Sequence, residues 1–340
     1  MIDSDYFSLQ NVLDKYFTDA TLKALISSCC VSFGVSPKKI SFINFVRVAW
    51  YFYESVDTFD NGGNAIYNAL MEKIQNLPIT ILRDVYPVEF KNIESRFCKN
   101  VVLSNGVEYE MQNCLFTIHP RLIMDIMPEE VLSGSIKERI LAFEESNGFF
   151  CTYGKIKEGY NFPPAVFNDL LLLNSCDDIN KYFEQPYPEE GSVCFLTNRQ
   201  ENNDTITFTA METMYFEQVE KYSNSFIHKR QKEYYEMKKS KSKELLSRIA
   251  KVYSLPQNTL EEVCSATPLT FRDYLNSYNG SAYGISQIMG QYNIIGRIKL
   301  KNFYVTGQSS FLPGILGSML SSIIVSKVML GEELFLKTFK

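Results

Sequence analysis

The C-terminal end of the chain constrains its fold most. Asn302-Phe303-Tyr304-Val305-Thr306 has the apolar character of a buried strand and runs directly into Gly307-Gln308. After Phe311-Leu312, the pair Pro313-Gly314 opens an apolar segment from Ile315 to Leu330. Proline presets the backbone for helix entry, and glycine lets a chain turn tightly and approach a ligand closely. The spacing predicts strand, glycine turn and helix, with free N–H donors and the positive dipole end available to an anionic group. The segment Phe311 to Leu330 also invites comparison with a membrane span. Its Pro313, Gly314, Gly317, four serines and Lys327 fit a buried helix better.

Upstream, composition sets the class. A chain of 340 residues, 45% hydrophobic and 21% charged, can bury a sizeable core and is not disordered over most of its length. A net charge of −5 provides no global positive field, which argues against nucleic-acid binding. The eight cysteines form no CxxC pair and only two histidines accompany them, so the expectation is buried free thiols in a reducing, cytoplasmic setting rather than a zinc site. Met1 to Tyr6 shows no basic stretch ahead of an apolar core, so no signal or transit peptide is expected.

Along the chain, Leu9, Val12, Leu13, Tyr16 and Phe17 recur at helical spacing, and Leu22 to Ile26 continues the run. A second helix is expected from Ile40 to Glu54. Its stripe of Phe42, Phe45, Val46, Trp50 and Tyr53 reads as core rather than as a cofactor-contacting face. Asn61-Gly62-Gly63-Asn64 then opens a helix, either as an anion-accepting entry or as an ordinary turn, the turn being the plainer reading. Short strands are expected at Ile79 to Leu82, Tyr86 to Phe90 and Cys114 to Ile118. Asn105-Gly106 marks a hairpin turn between Asn100 and Glu110. His119, at a strand end with no partner for a catalytic dyad nearby, reads as structural. Pro163-Pro164 breaks the next stretch, and strands at Val193 to Thr197 and Thr205 to Thr209 flank the polar loop Asn198 to Asp204. Phe226 to Tyr253 reads as one long helix carrying Lys229, Arg230, Lys232, Lys238, Lys239, Lys241 and Lys243. A solvated face is the plain reading of these cations, and a peripheral contact with an anionic membrane the sharper one.

Taken in order, several of these features resemble the phytoene desaturase, carotenoid isomerase and retinol saturase family of FAD-dependent oxidoreductases. They are Gly62-Gly63, the strands through Val88 to Asn105-Gly106, Thr267-Pro268, Gly280-Ser281-Ala282-Tyr283-Gly284, Tyr304 to Gln308, and Pro313-Gly314-Ile315-Leu316-Gly317. The resemblance implies a mixed α/β fold: a glutathione-reductase-like FAD domain interrupted by a substrate domain. In that arrangement residues 1–55 are a helical part of the substrate domain and 56–125 belong to the FAD domain. Residues 126–275 are substrate domain, and 276–340 form the C-terminal FAD-binding segment. It also implies FAD as cofactor, with Gly307, Gln308, Pro313, Gly314, Ile315 and Leu316 along the flavin. Val88, or Val85 in a shifted register, contacts the adenine side, and Tyr283 faces an apolar polyene or lipid substrate. No paired carboxylates and no Ser/His/Asp set stand out, which suits chemistry carried by the flavin.

One departure matters. None of the seventeen glycines forms GxGxxG, the phosphate-binding turn that opens such a fold. The expectation is that the nucleotide-binding unit is supplied by a partner chain, that the gene is shortened, or that the chain has a flavin-free role. A polyene-directed flavoenzyme component therefore stands beside a non-catalytic homologue that binds an apolar ligand or regulates an enzyme. A membrane scaffold built on the basic helix is a third reading.

Overall fold

The computed structural model describes residues 6–54, 59, 62–129, 131–162, 168–172, 177–189, 191, 193–200 and 205–338. Asn61, Pro163-Pro164, Cys176 and the end of the Asn198 to Asp204 loop lie outside them.

Helices α1 (Leu9–Tyr16), α2 (Ala20–Ser27), α3 (Cys30–Phe33) and α4 (Phe42–Glu54) form the N-terminal layer. The Ser8 hydroxyl accepts the Asn11 N–H to cap α1, and Asp19 accepts the Leu22 N–H to cap α2. These caps split the expected continuous helix at residues 17–19. Helix α5 (Gly63–Gln75) begins at the paired glycines, with Gly62 at φ +56°, and buries none of its residues.

An antiparallel meander follows, β1 (Pro87–Glu94), β2 (Phe97–Leu103) and β3 (Glu108–Glu110). Gly106 takes φ +80° in the Asn-Gly turn before β3, a conformation that costs glycine nothing. The strand expected at Ile79 to Leu82 does not form. The segment is irregular, with Ile79, Ile81 and Leu82 about half exposed, because among the described residues no neighbouring strand offers it a ladder. Strand β4 (Cys114–Phe116) leads through His119 into α6 (Pro120–Ile126), and α7 (Gly134–Leu141) follows.

The second half opens with β5 (Gly148–Ile156), β6 (Asn168–Leu172), β7 (Val193–Gln200) and β8 (Ile206–Met214). Then come α8 (Lys232–Val252), β9 (Leu260–Ala266) and α9 (Pro268–Leu275). The five strands form an antiparallel sheet of order β6-β7-β8-β5-β9. Strand period explains its two covered faces. Phe149 and Cys151 of β5 join the core of α1 to α4, whereas Phe150 and Ile156 join Leu245, Leu246 and Ile249 of α8 on the other side.

The chain ends with β10 (Gly296–Arg297), β11 (Phe303–Val305), α10 (Gly314–Leu330) and α11 (Glu332–Thr338). Here β11 pairs antiparallel with β10 and parallel with β4, giving the order β10-β11-β4. Asn302, buried, donates to the carbonyls of Cys98 at 2.7 Å and Gln112 at 3.1 Å, tying this sheet to the meander. Phe90, Phe116 and Phe303 pack edge-to-face beneath both.

The edge of β4 is open. The Cys114 N–H bonds Asn302 O and the Phe116 carbonyl accepts from Thr306, so both face β11. Strand geometry then turns the backbone groups of Leu115 to the far side, where none of the described residues pairs with them. Leu115 is half exposed. Helix α10 is similarly bare. Only the stripe Gly317, Ser321, Val325 is buried, while Ile315, Leu316, Met319, Ile323 and Val328 are exposed. A helix apolar on all sides is at home inside a larger body or a membrane. Among the described residues no helix is long and apolar enough to cross a membrane.

The long helix expected from Phe226 begins only at Lys232, so Lys229 and Arg230 precede it, and the basic stretch is only partly a solvated face. Lys241 pairs with buried Glu212 and Arg230 with Asp273, while burial lowers the Lys238 pKa. Lys229, Lys232, Lys239 and Lys243 remain exposed.

Of the seven described cysteines, six are buried or half-buried as expected and Cys264 is not. Cys29, Cys30, Cys98, Cys151 and Cys194 are buried, Cys114 half-buried and Cys264 exposed, all unpaired. Burial pushes Cys29, Cys114 and Cys151 up to about 12. Iodoacetamide near neutral pH is therefore expected to label Cys264 first and leave those three as thiols, read out by peptide mass spectrometry. Equal labelling would contradict their packing.

Candidate functional site

The site grows from the end of β11. Gly307, at φ +99°, lies with its Cα against Thr117, where a Cβ would meet the Thr117 carbonyl oxygen at 3.1 Å. Its N–H is held by Ser321 Oγ of α10 at 2.9 Å, and Thr306 Oγ1 bonds the same hydroxyl at 2.9 Å. This clamp fixes where the chain leaves the sheet and where α10 begins. The turn closes with Ser310 N–H donating to Gly307 O. Ser310 is itself buried, and its hydroxyl has no hydrogen-bond partner among the described residues.

Pro313 stands as N-cap of α10 without a side-chain cap. The first N–H groups of a helix have no carbonyl within it, so here they remain open to a ligand. Gly314, Leu316 and Gly317 of this first turn line an apolar cavity of about 630 Å³, within the usual range for small-molecule sites of about 300–1,000 Å³. Leu312, Pro313, Gly314, Leu316 and Leu320 form one wall, and Phe33, Ile40, Val46 and Trp50 the other. Tyr283 and Gln287 close a third side. The Tyr283 N–H bonds Ser146 Oγ at 3.0 Å and its ring meets Phe149 edge-on, 6.0 Å between centroids. Burial pushes its phenol up to about 12, so the hydroxyl stays protonated at neutral pH.

Of the sequence-predicted residues, Tyr283, Pro313, Gly314 and Leu316 meet in this cavity. Gln308 lines a smaller neighbour of about 260 Å³ with His119, Tyr278, Ser281 and Ser309. Gly307 and exposed Ile315 line neither. Val88 lies elsewhere, at the bulge where the β1–β2 register shifts between Pro87 and Glu89. It lines a separate open cavity of about 770 Å³ with Tyr86, Asp125 and Met127. Val85 lines neither it nor the apolar cavity.

His119 has a structural place. Its Nδ1 accepts the Arg121 N–H at 3.2 Å as the cap of α6, which leaves Nε2 to donate to Glu145 at 3.0 Å. Tyr278 stacks on the ring at 5.4 Å.

Helix α4 corrects one reading. Phe45 and Ala49 are core, but Val46, Trp50, Asn44 and Arg47 line the cavity. The signal was present: Arg47 is the only charged residue between Phe42 and Tyr53. A charge on an otherwise apolar helix needs water or a partner.

No protein-family profile matches the chain. It is 25% identical over 139 residues to the all-trans-retinol 13,14-reductase of Danio rerio, covering 39% of this chain and 23% of that enzyme. The chain thus matches less than a quarter of its curated relative's length. Among solved structures, an oxidoreductase from Methanosarcina mazei superposes with TM-score 0.65 at 12% identity, over 94% of this chain and 68% of its own. A putrescine oxidase, solved with putrescine bound, gives TM-score 0.59 at 12% identity over 95% and 69%. Nearly the whole chain therefore shares the mixed α/β fold of these two oxidoreductases.

Proposed function

We propose that the chain is a component of an FAD-dependent oxidoreductase that acts on a polyene, isoprenoid or other apolar lipid, as a desaturase, isomerase or saturase. The observation that carries this reading is the uncapped start of α10 opening onto an apolar cavity. The likeness to a retinol reductase supports the substrate class.

The residues present fit the flavin end of FAD. The N–H groups after Pro313 and the dipole of α10 suit the anionic edge of a reduced ring, and the unpartnered Ser310 hydroxyl offers a further polar contact. FAD would supply hydride or electron exchange. The chain's own part is to seat the ring at Pro313 and Gly314 and exclude water with Leu316, Leu320 and Val46. Tyr283 holds a protonated hydroxyl toward the apolar ligand. Exposed Lys232, Lys239 and Lys243 would serve a peripheral contact with a lipid surface.

A second polypeptide carrying GxGxxG would hold the pyrophosphate and adenosine. The open edge of β4 and the bare faces of α10 support that part, since an added parallel strand would complete Leu115's hydrogen bonds.

FAD titration followed by desalting tests the reading. The chain alone should lose its flavin absorbance, and the chain mixed with a dinucleotide-binding polypeptide should keep it. Colourless protein in both cases would remove the flavin and leave an apolar-ligand protein without redox chemistry.

A further inference from the structure

The apolar cavity carries one charge. Arg47 is the only charged side chain among the residues lining it, and no carboxylate lies within ion-pair distance of it among the described residues. Its Nη1 donates to Asn44 Oδ1 at 3.0 Å. A guanidinium has five N–H donors in a planar fork, so most of its capacity is left for water or a ligand. Exposed Arg47 and Trp50 mark the mouth of the cavity, and buried Phe33 and Ile40 its floor.

We infer that the ligand of this cavity is an apolar molecule ending in a carboxylate, its apolar body inside and its carboxylate held at the mouth by Arg47 beside Asn44. The fork geometry matches a carboxylate with two parallel hydrogen bonds. One guanidinium neutralises one carboxylate, whereas a phosphate ester would bring close to two negative charges at neutral pH and leave one uncompensated. The adjoining low-dielectric wall strengthens the pair relative to one in open water. This inference rests on the proposed reading for the identity of the cavity as the substrate site, and it makes the substrate an acid rather than an alcohol or hydrocarbon.

Trp50 is the only tryptophan of the chain and lines the cavity, so its fluorescence reports occupancy without any flavin. Titrating the flavin-free chain with retinoic acid and with retinol compares two ligands of one shape that differ at the end group. The acid should bind about tenfold more tightly, roughly 1.4 kcal/mol. Arg47→Gln should bring the acid down to the affinity of the alcohol and leave the alcohol unchanged. Arg47→Lys should retain part of the preference, and added salt should shrink it. Equal binding of acid and alcohol, tighter binding of the alcohol, an equal loss of both in Arg47→Gln, or no quenching by either would overturn the inference. Failure of flavin retention with the acid preference intact would strike the proposed function alone. Flavin retention without the preference would strike this inference alone.

Discussion

Glu212→Ala is expected to lower the unfolding free energy by about 3 kcal/mol, measured by urea denaturation. Glu212 is fully buried on β8. Its carboxylate meets Arg248 Nη2 at 2.6 Å and Lys241 Nζ at 2.8 Å, and accepts the Gly191 N–H at 3.2 Å. Both cations come from α8, so one carboxylate pins the helix to the five-stranded sheet. Removing it leaves two largely buried positive charges facing each other. The loss sits near the low end of the range because each cation keeps a backbone acceptor, Gly191 O for Arg248 and Glu189 O for Lys241. Arg248 also has Glu244 at 3.7 Å. A loss below about 1 kcal/mol, the scale of an exposed pair, would show that the network is solvated and that this account of α8 is wrong.

Gly317→Ala gives the second large effect, and there the sign itself is at stake. Helix propensity favours alanine over glycine in a helix interior by about 1 kcal/mol. Packing opposes it, because a Cβ at Gly317 would lie 1.9 Å from the Leu312 carbonyl oxygen and 2.8 Å from the Leu312 side chain. Backbone at that distance must move, and overpacking of this kind costs about 1–3 kcal/mol. Net destabilisation is expected, together with a shift of Leu312-Pro313-Gly314 that weakens flavin retention and disturbs Trp50 fluorescence. Gly134→Ala is the control. Its Cβ would meet nothing within 4 Å, so the same substitution in α7 should be neutral or stabilising. Two substitutions of one kind with opposite signs separate packing from propensity; matching signs would show that the Leu312 contact does not decide the outcome at Gly317.

Much of the C-terminal architecture could be read from local chemistry. The Gly307 turn, the Pro313 helix entry and the Asn105-Gly106 hairpin each depend on residues whose backbone preferences act within a few positions. What escaped reading depended on distant partners. Ile79 to Leu82 has strand composition, but composition cannot supply a neighbouring strand. The period of α4 shows that Phe45, Val46 and Trp50 share an apolar side, yet not that part of that side faces a cavity rather than a core. Lys241 looked like its neighbours on α8 because nothing in the helix announces a carboxylate on β8. Val88 was expected to contact the adenine side of the cofactor, away from the residues along the flavin. The structure places it at a bulge lining a different cavity.

The unpaired edge of β4 and the bare sides of α10 also bear on how much folded protein there is to find. Any molecule that covers that surface binds the folded chain and not the unfolded one, so it adds to stability in proportion to the logarithm of its concentration. At a hundredfold excess over its dissociation constant the gain is about 2.7 kcal/mol. The lifetime of this chain against proteolysis should therefore rise and fall with the supply of any molecule that covers that surface.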